Sequence, residues 1–150
     1  MNLTHERFLK VIGSLVGTDA LESEQRGAPR VSLRAQVMIA PLDDARFIDG
    51  KCLRIDGSEP EPGPAYAVRI QDLSEGGIAL LHFHGLPKGK PFILELPEKH
   101  DAGRIVRTRM LCRVMHSRVT AEHQHLIGAK FVRAWTNAAP TLDAAVALAA

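Results

Sequence analysis

Two short stretches concentrate residues able to grip an anion and a planar ring: Arg-Gly-Ala-Pro-Arg at 26–30 and Asp-Leu-Ser-Glu-Gly-Gly at 72–77. The guanidinium of Arg26 or Arg30 is a rigid fork of donors that pairs bidentately with phosphate oxygens or with the acceptor edge of a purine, and its flat face stacks on a base. Asp72 supplies an acceptor and Ser74 a hydroxyl that both donates and accepts. Gly76 and Gly77 allow a tight turn and a close approach of backbone to a ligand. Either stretch alone is ordinary: loop arginines are usually solvated, and Asp, Ser and Gly are common turn residues.

The elements that must position them follow from hydrophobic periodicity. Phe8, Val11, Ile12 and Leu15 recur at helical spacing, with Thr4 as N-cap, so residues 4–16 are expected to form a short amphipathic helix. Residues 17–30 are polar and aperiodic, a loop carrying the arginines. Val31, Leu33, Ala35, Val37 and Ile39 then alternate with more polar residues, the pattern of a half-buried strand. Residues 41–65, rich in Pro and Gly, read as a long connection with a short ribbon around 51–55. Further strands are expected at 66–72, 77–83, 92–96, 104–119 and 126–132, with Asp72, Ser74 and the glycines in the hairpin turn between the second and third. In the long run, Val106, Met110, Cys112 and Val114 are expected to face inward. The alanine-rich stretch 137–150, with Pro140 and Thr141 near its start, suggests a short C-terminal helix. Six strands with no helices between them imply an all-β, antiparallel barrel.

Composition bounds the function. The 150 residues are 45% apolar and 24% charged, as expected of one globular domain with a sizeable core. A net charge of +2 is too slight to define a nucleic-acid or membrane-surface protein, although 13 arginines against 6 lysines favours forked donors. Cys52 and Cys112 are too far apart for a CxxC pair or zinc ribbon, so reduced, buried thiols are expected. No apolar run reaches the roughly 20 residues that span a bilayer, and VIGSLVG lacks the context of a signal peptide, so the reading is cytoplasmic.

RGAPR and DLSEGG, in that order and each set against an alternating strand, resemble the PilZ domain family, whose hallmark is an RxxxR loop followed by a (D/N)xSxxG turn on a six-stranded antiparallel barrel. GAKF at 128–131 is similar to the family's glycine-containing final strand. The resemblance implies a barrel over residues 25–136, preceded by a helix and flexible segment (1–24) and followed by a tail or helix (137–150). It implies a non-catalytic receptor for cyclic di-GMP that changes conformation on binding and signals to a downstream protein, in motility, exopolysaccharide production, virulence or transcription. Arg26 and Arg30 would contact phosphate and guanine, Asp72 the guanine N1 and N2 donors, and Ser74, Gly76 and Gly77 the ligand at the turn. The residue ahead of the arginine pair bears on whether one ligand or an intercalated pair is held, and Gln25 there favours one. The chain would be a monomer or homodimer.

Rival readings are weaker. A PilZ-fold adaptor that binds a protein but no nucleotide shares the fold. An oligonucleotide barrel could use Arg104, Arg107, Arg109, Arg113 and Arg118, but 5% aromatic residues supply no stacking platform, and a solvated face with ion pairs accounts for the stripe. His82 with His84, and His123 with His125, could be imagined as a two-plus-two metal site, yet no carboxylate or cysteine supports them, so neither metal nor cofactor is expected. No nucleophile-elbow or metal-hydrolase spacing suggests an enzyme.

Overall fold

The computed structural model describes residues 1–16, 30–32 and 35–135, with residue 16 and residues 30–32 in backbone only. Its elements are α1 (His5–Val16), β1 (Arg30–Ser32), β2 (Gln36–Pro41), β3 (Ala45–Ile48), β4 (Lys51–Arg54), β5 (Tyr66–Ser74), β6 (Gly77–His82), β7 (Pro91–Lys99), a 3-10 turn (Asp101–Gly103), β8 (Ile105–Val119) and β9 (His125–Ala134). The expected C-terminal helix lies outside the described residues.

Six strands close into an antiparallel barrel in the order β2, β5, β6, β9, β8, β7 and back to β2. The first alternating run is two strands rather than one: β1 and β2 both pair with β5, and the register advances by one residue between them. Alternation fills the interior with Val37 and Ile39, Val68, Ile70 and Leu73, Ile78 and Leu80, Phe92 and Leu94, Met110, Cys112 and Val114, and Ile127 and Phe131. Burial pushes the Cys112 thiol far above its ordinary range, so this cysteine is inert core.

Two departures from the sequence pattern have simple causes. Val106 is 36% exposed, because the first turn of β8 runs past the end of the barrel beside β7 alone. The 41–65 connection contains two strands, β3 and β4, whose ribbon folds back over the barrel wall. Cys52 and Phe47 from this ribbon, with Trp135, cover the outward-facing Ile93 and Leu111 and form a second core outside the barrel. β7 is therefore covered on both faces, which explains the unbroken apolar run Phe92–Leu94.

Helix α1 begins where Thr4 caps it: the Arg7 amide donates to Thr4 Oγ1 (3.2 Å). Its stripe does not wait for a partner, since Phe8, Val11 and Ile12 are buried in the main core together with Leu3. The helix is latched through Arg7, whose guanidinium donates to both carboxylate oxygens of Glu98 on β7 (3.3 and 3.1 Å). Glu98 is 4% exposed and also accepts from Thr108. Burial acts to raise the Glu98 pKa, but the hydrogen bonds of Arg7 and Thr108 and the Arg7 charge outweigh it and hold the carboxyl below its usual range.

A carboxyl depressed on folding stabilises the native state above its unfolded value, and that contribution disappears as pH falls through the lower native value. Arg7→Met should therefore destabilise the protein at pH 7 by about 2 kcal/mol, between the values for exposed and fully buried pairs because Arg7 is itself partly exposed. In urea unfolding, the gap between parent and variant should narrow as the solution is acidified through the ordinary range of an unfolded glutamate, about pH 4.3, and on toward the lower native value of Glu98. A gap that stays constant to pH 3 would show that the pair is not what the variant removed.

Candidate functional site

β5 carries the second motif, and its pleat decides where the motif points. Leu73 is fully buried, so its neighbours Asp72 and Ser74 share the outer face of the barrel. Both lie in the strand rather than in the turn, which consists of Glu75 and Gly76 alone. The phase is set by a bulge at Gln71: Ile70 pairs with Leu80 and Asp72 with Ala79, leaving Gln71 without an opposite residue. Without that extra residue, Ile70 and Leu73 could not both face the core.

The Ser74 hydroxyl spans the hairpin end. It accepts from the Gly77 amide (3.1 Å) and lies 3.2 Å from the Gly77 carbonyl, to which it donates. The turn is also held from outside, because the Leu3 amide donates to the Glu75 carbonyl (2.7 Å), His5 Nδ1 lies 3.0 Å from Glu75 Oε1, and the Phe131 amide donates to the Gly76 carbonyl (3.0 Å).

Across the outer face runs one row of cross-strand partners: Asp72 on β5, Ala79 on β6, Gly128 on β9 and His116 on β8. Large side chains stand at the ends and minimal ones between them, so the row is a trough about 14 Å across, three strand spacings. It forms a groove of about 420 Å³ lined by Asp72, Ser74, Gly77, His116, Arg118 and Lys130, among others. The sequence reading missed His116 and Lys130, and had assigned Arg118 to a solvated stripe. The signal was present only in register, which the sequence does not reveal.

The glycines answer to neighbours. A Cβ on Gly77 would overlap the Ala129 carbonyl oxygen, and one on Gly128 would overlap the His116 ring. Gly77 has no positive φ, so its need is the close passage of β9 and not an unusual turn.

The first motif is placed in part. Arg30 opens β1, with Arg30, Val31 and Ser32 opposite Ser74, Leu73 and Asp72. Two stretches forty residues apart in the chain are thus hydrogen-bonded neighbours at the rim of the groove. Gln25 and Arg26 lie outside the described residues. Of the arginine stripe, Arg107 donates to the buried Glu95 (2.8 Å), Arg109 approaches the same carboxylate (3.9 Å), and Arg113 covers the Phe47 ring (5.2 Å). Arg118 has no hydrogen-bond or ion-pair partner among the described residues.

Of the four histidines, His82 and His125 are cross-strand partners on β6 and β9. β6 ends at His82, which stacks on Tyr66 (5.0 Å) and meets His84 edge-on (5.7 Å), while His123 sits in a turn at φ 62. Burial and the adjacent His84 lower the His82 pKa. Among the described residues no group of three or more His, Cys, Asp or Glu could hold a metal ion.

A family model of the PilZ domain matches residues 24–144. The chain belongs to the PilZ family. No curated protein and no solved structure matches it. The match spans both motif stretches and every strand of this PilZ barrel. Among the described residues no helix is long and apolar enough to cross a membrane.

The two glycines should respond differently to a methyl group. Gly77→Ala meets a backbone carbonyl that cannot step aside and should cost about 1–3 kcal/mol, whereas Gly128→Ala meets an exposed side chain that can swing away and should cost less than about 1 kcal/mol. Equal losses in urea unfolding would contradict this account of the groove floor.

Proposed function

We propose that this PilZ protein is a non-catalytic receptor for cyclic di-GMP, bound in the groove on the outer face of β5, β6, β9 and β8. The observation that carries the reading is the pairing of β1 with β5, which sets Arg30 opposite Ser74 and Ser32 opposite Asp72. That register sets the backbone of the last residue of the arginine motif beside the strand that carries Asp72 and Ser74.

Arg26 and Arg30 pair with phosphate oxygens and with guanine O6 and N7. Asp72 accepts from guanine N1 and N2, donors that adenine does not present on that edge, and so supplies base preference. Ser74 offers its hydroxyl at the end of the groove, where Gly76 and Gly77 present no side chain to obstruct a ligand. Gln25 borders the arginine pair, and one ligand is held per chain. The receptor domain is the barrel, residues 25–136.

The response to ligand resides in the chain ahead of β1 rather than in α1. Lifting Phe8, Val11 and Ile12 out of the core would cost about 5–9 kcal/mol at about 1.5–3 kcal/mol each, beyond the roughly 1–3 kcal/mol of typical coupling between sites. Binding instead draws Arg26 and Arg30 to the groove and changes the surface offered to a downstream protein.

Titration calorimetry tests the reading directly. The parent should bind cyclic di-GMP, and Arg26→Ala, Arg30→Ala and Asp72→Ala should each weaken binding about ten- to a hundredfold, roughly 1.5–3 kcal/mol per charged contact. A parent that does not bind, or three variants that bind as the parent does, would overturn it.

A further inference from the structure

Beside the groove lies a second hollow of about 330 Å³, which shares Arg118 and Leu126 with it. Its lining includes Gln71, Arg118, Thr120, Glu122 and Gln124. Four strands and a turn converge there. Gln71 is the residue that the β5 bulge leaves without an opposite partner, an arrangement that re-aims a side chain away from the regular pleat. Thr120 to Gln124 form the turn between β8 and β9, closed by the Thr120 amide donating to the Gln124 carbonyl (2.6 Å) and by the Glu122 amide donating to Thr120 Oγ1 (3.3 Å).

Arg118 joins the two hollows, for it lines both. Cross-strand pairing places it at the end of the row Arg69, Leu81, Leu126 and Arg118, alongside the row that starts at Asp72. Its guanidinium is exposed and has no partner among the described residues, unlike Arg107 and Arg109, which serve the buried Glu95. A forked donor left unpaired at the junction of two depressions is suited to a phosphate that bridges them.

We propose that Arg118 holds a phosphate of the ligand at this junction and that Glu122, in the adjoining hollow, reads the ligand's second guanine. The inference rests on the reading of the groove as a cyclic dinucleotide site and extends it to a subsite in the adjoining hollow. A cyclic dinucleotide with two identical halves presents the same guanine edge twice, so each half calls for the same chemistry. Asp72 supplies a carboxylate for one guanine, and Glu122 supplies the other for N1 and N2. Gln71 flanks this second base with an amide that donates to guanine O6. One ligand molecule then spans both hollows, which makes the stoichiometry one per chain.

Arg118 and Glu122 are both exposed, so Arg118→Ala and Glu122→Gln should fold as the parent does, checked by unchanged thermal unfolding. Calorimetry with cyclic di-GMP should give one ligand per chain for the parent, and Arg118→Ala should bind about ten- to a hundredfold more weakly. Titration with the mixed cyclic GMP–AMP reads the second base alone, because its guanine can occupy the Asp72 end. The parent should prefer cyclic di-GMP over the mixed ligand by about tenfold, and Glu122→Gln should erase most of that preference. If the parent binds but Arg118→Ala binds equally well, or two ligands enter per chain, or Glu122→Gln keeps the preference, the second subsite is wrong while the groove reading stands. A parent that binds no cyclic di-GMP removes the groove reading itself, and this inference with it.

Discussion

Residues 72–74 of β5 are hydrogen-bonded on both edges, to β1 on one side and to β6 on the other. A strand paired on both sides cannot rotate or slip without breaking two ladders, and a slip of one residue would exchange its inner and outer faces. Here that exchange would drive Asp72 into an apolar barrel and expose Leu73, at the cost of burying a carboxylate among side chains that offer it nothing. The double ladder thus fixes the outward direction of Asp72 and Ser74. It also fixes the position of Arg30 beside them and the row of small residues that continues across β6 and β9. The bulge at Gln71 belongs to the same constraint, since it brings the two parts of β5 into a common phase with the core.

The floor of the groove shows how structural and binding demands fall on the same residues. Gly77 is small because the Ala129 carbonyl passes over it, and Gly128 is small because the His116 ring rests there. Ser74 closes the hairpin through the Gly77 backbone. None of these contacts needs a ligand, yet together they leave a depression bounded by a carboxylate at one end and cationic side chains at the other. A surface made concave by packing is already organised for a ligand, which lowers the ordering that binding must supply.

Around that face the rest of the molecule is braced. The interior is filled by alternating strands and closed by α1, which the Arg7–Glu98 pair ties to β7. The ribbon of β3 and β4 adds a second apolar layer outside β7 and β8, with Trp135 at its margin. These layers leave the face of β5, β6, β9 and β8 that carries the groove clear of the ribbon, so the barrel acts as a rigid support for chemistry placed on its surface.

Local chemistry made much of this legible in the sequence. The period of 3.6 in Phe8, Val11, Ile12 and Leu15 and the Thr4 cap defined α1, and the period of two marked the barrel strands, because both patterns record which side chains meet the core. The family was legible as well, since RGAPR and DLSEGG are contiguous motifs. Periodicity fails where a strand has two covered faces or extends beyond its support, which is why β3 and β4 were read mainly as connection and Val106 as core. The groove's far wall was decided by tertiary structure alone. His116 and Arg118 carry no motif, and they share a groove with Asp72 only through the register of four strands, which long-range pairing and its irregularities establish and no local spacing encodes.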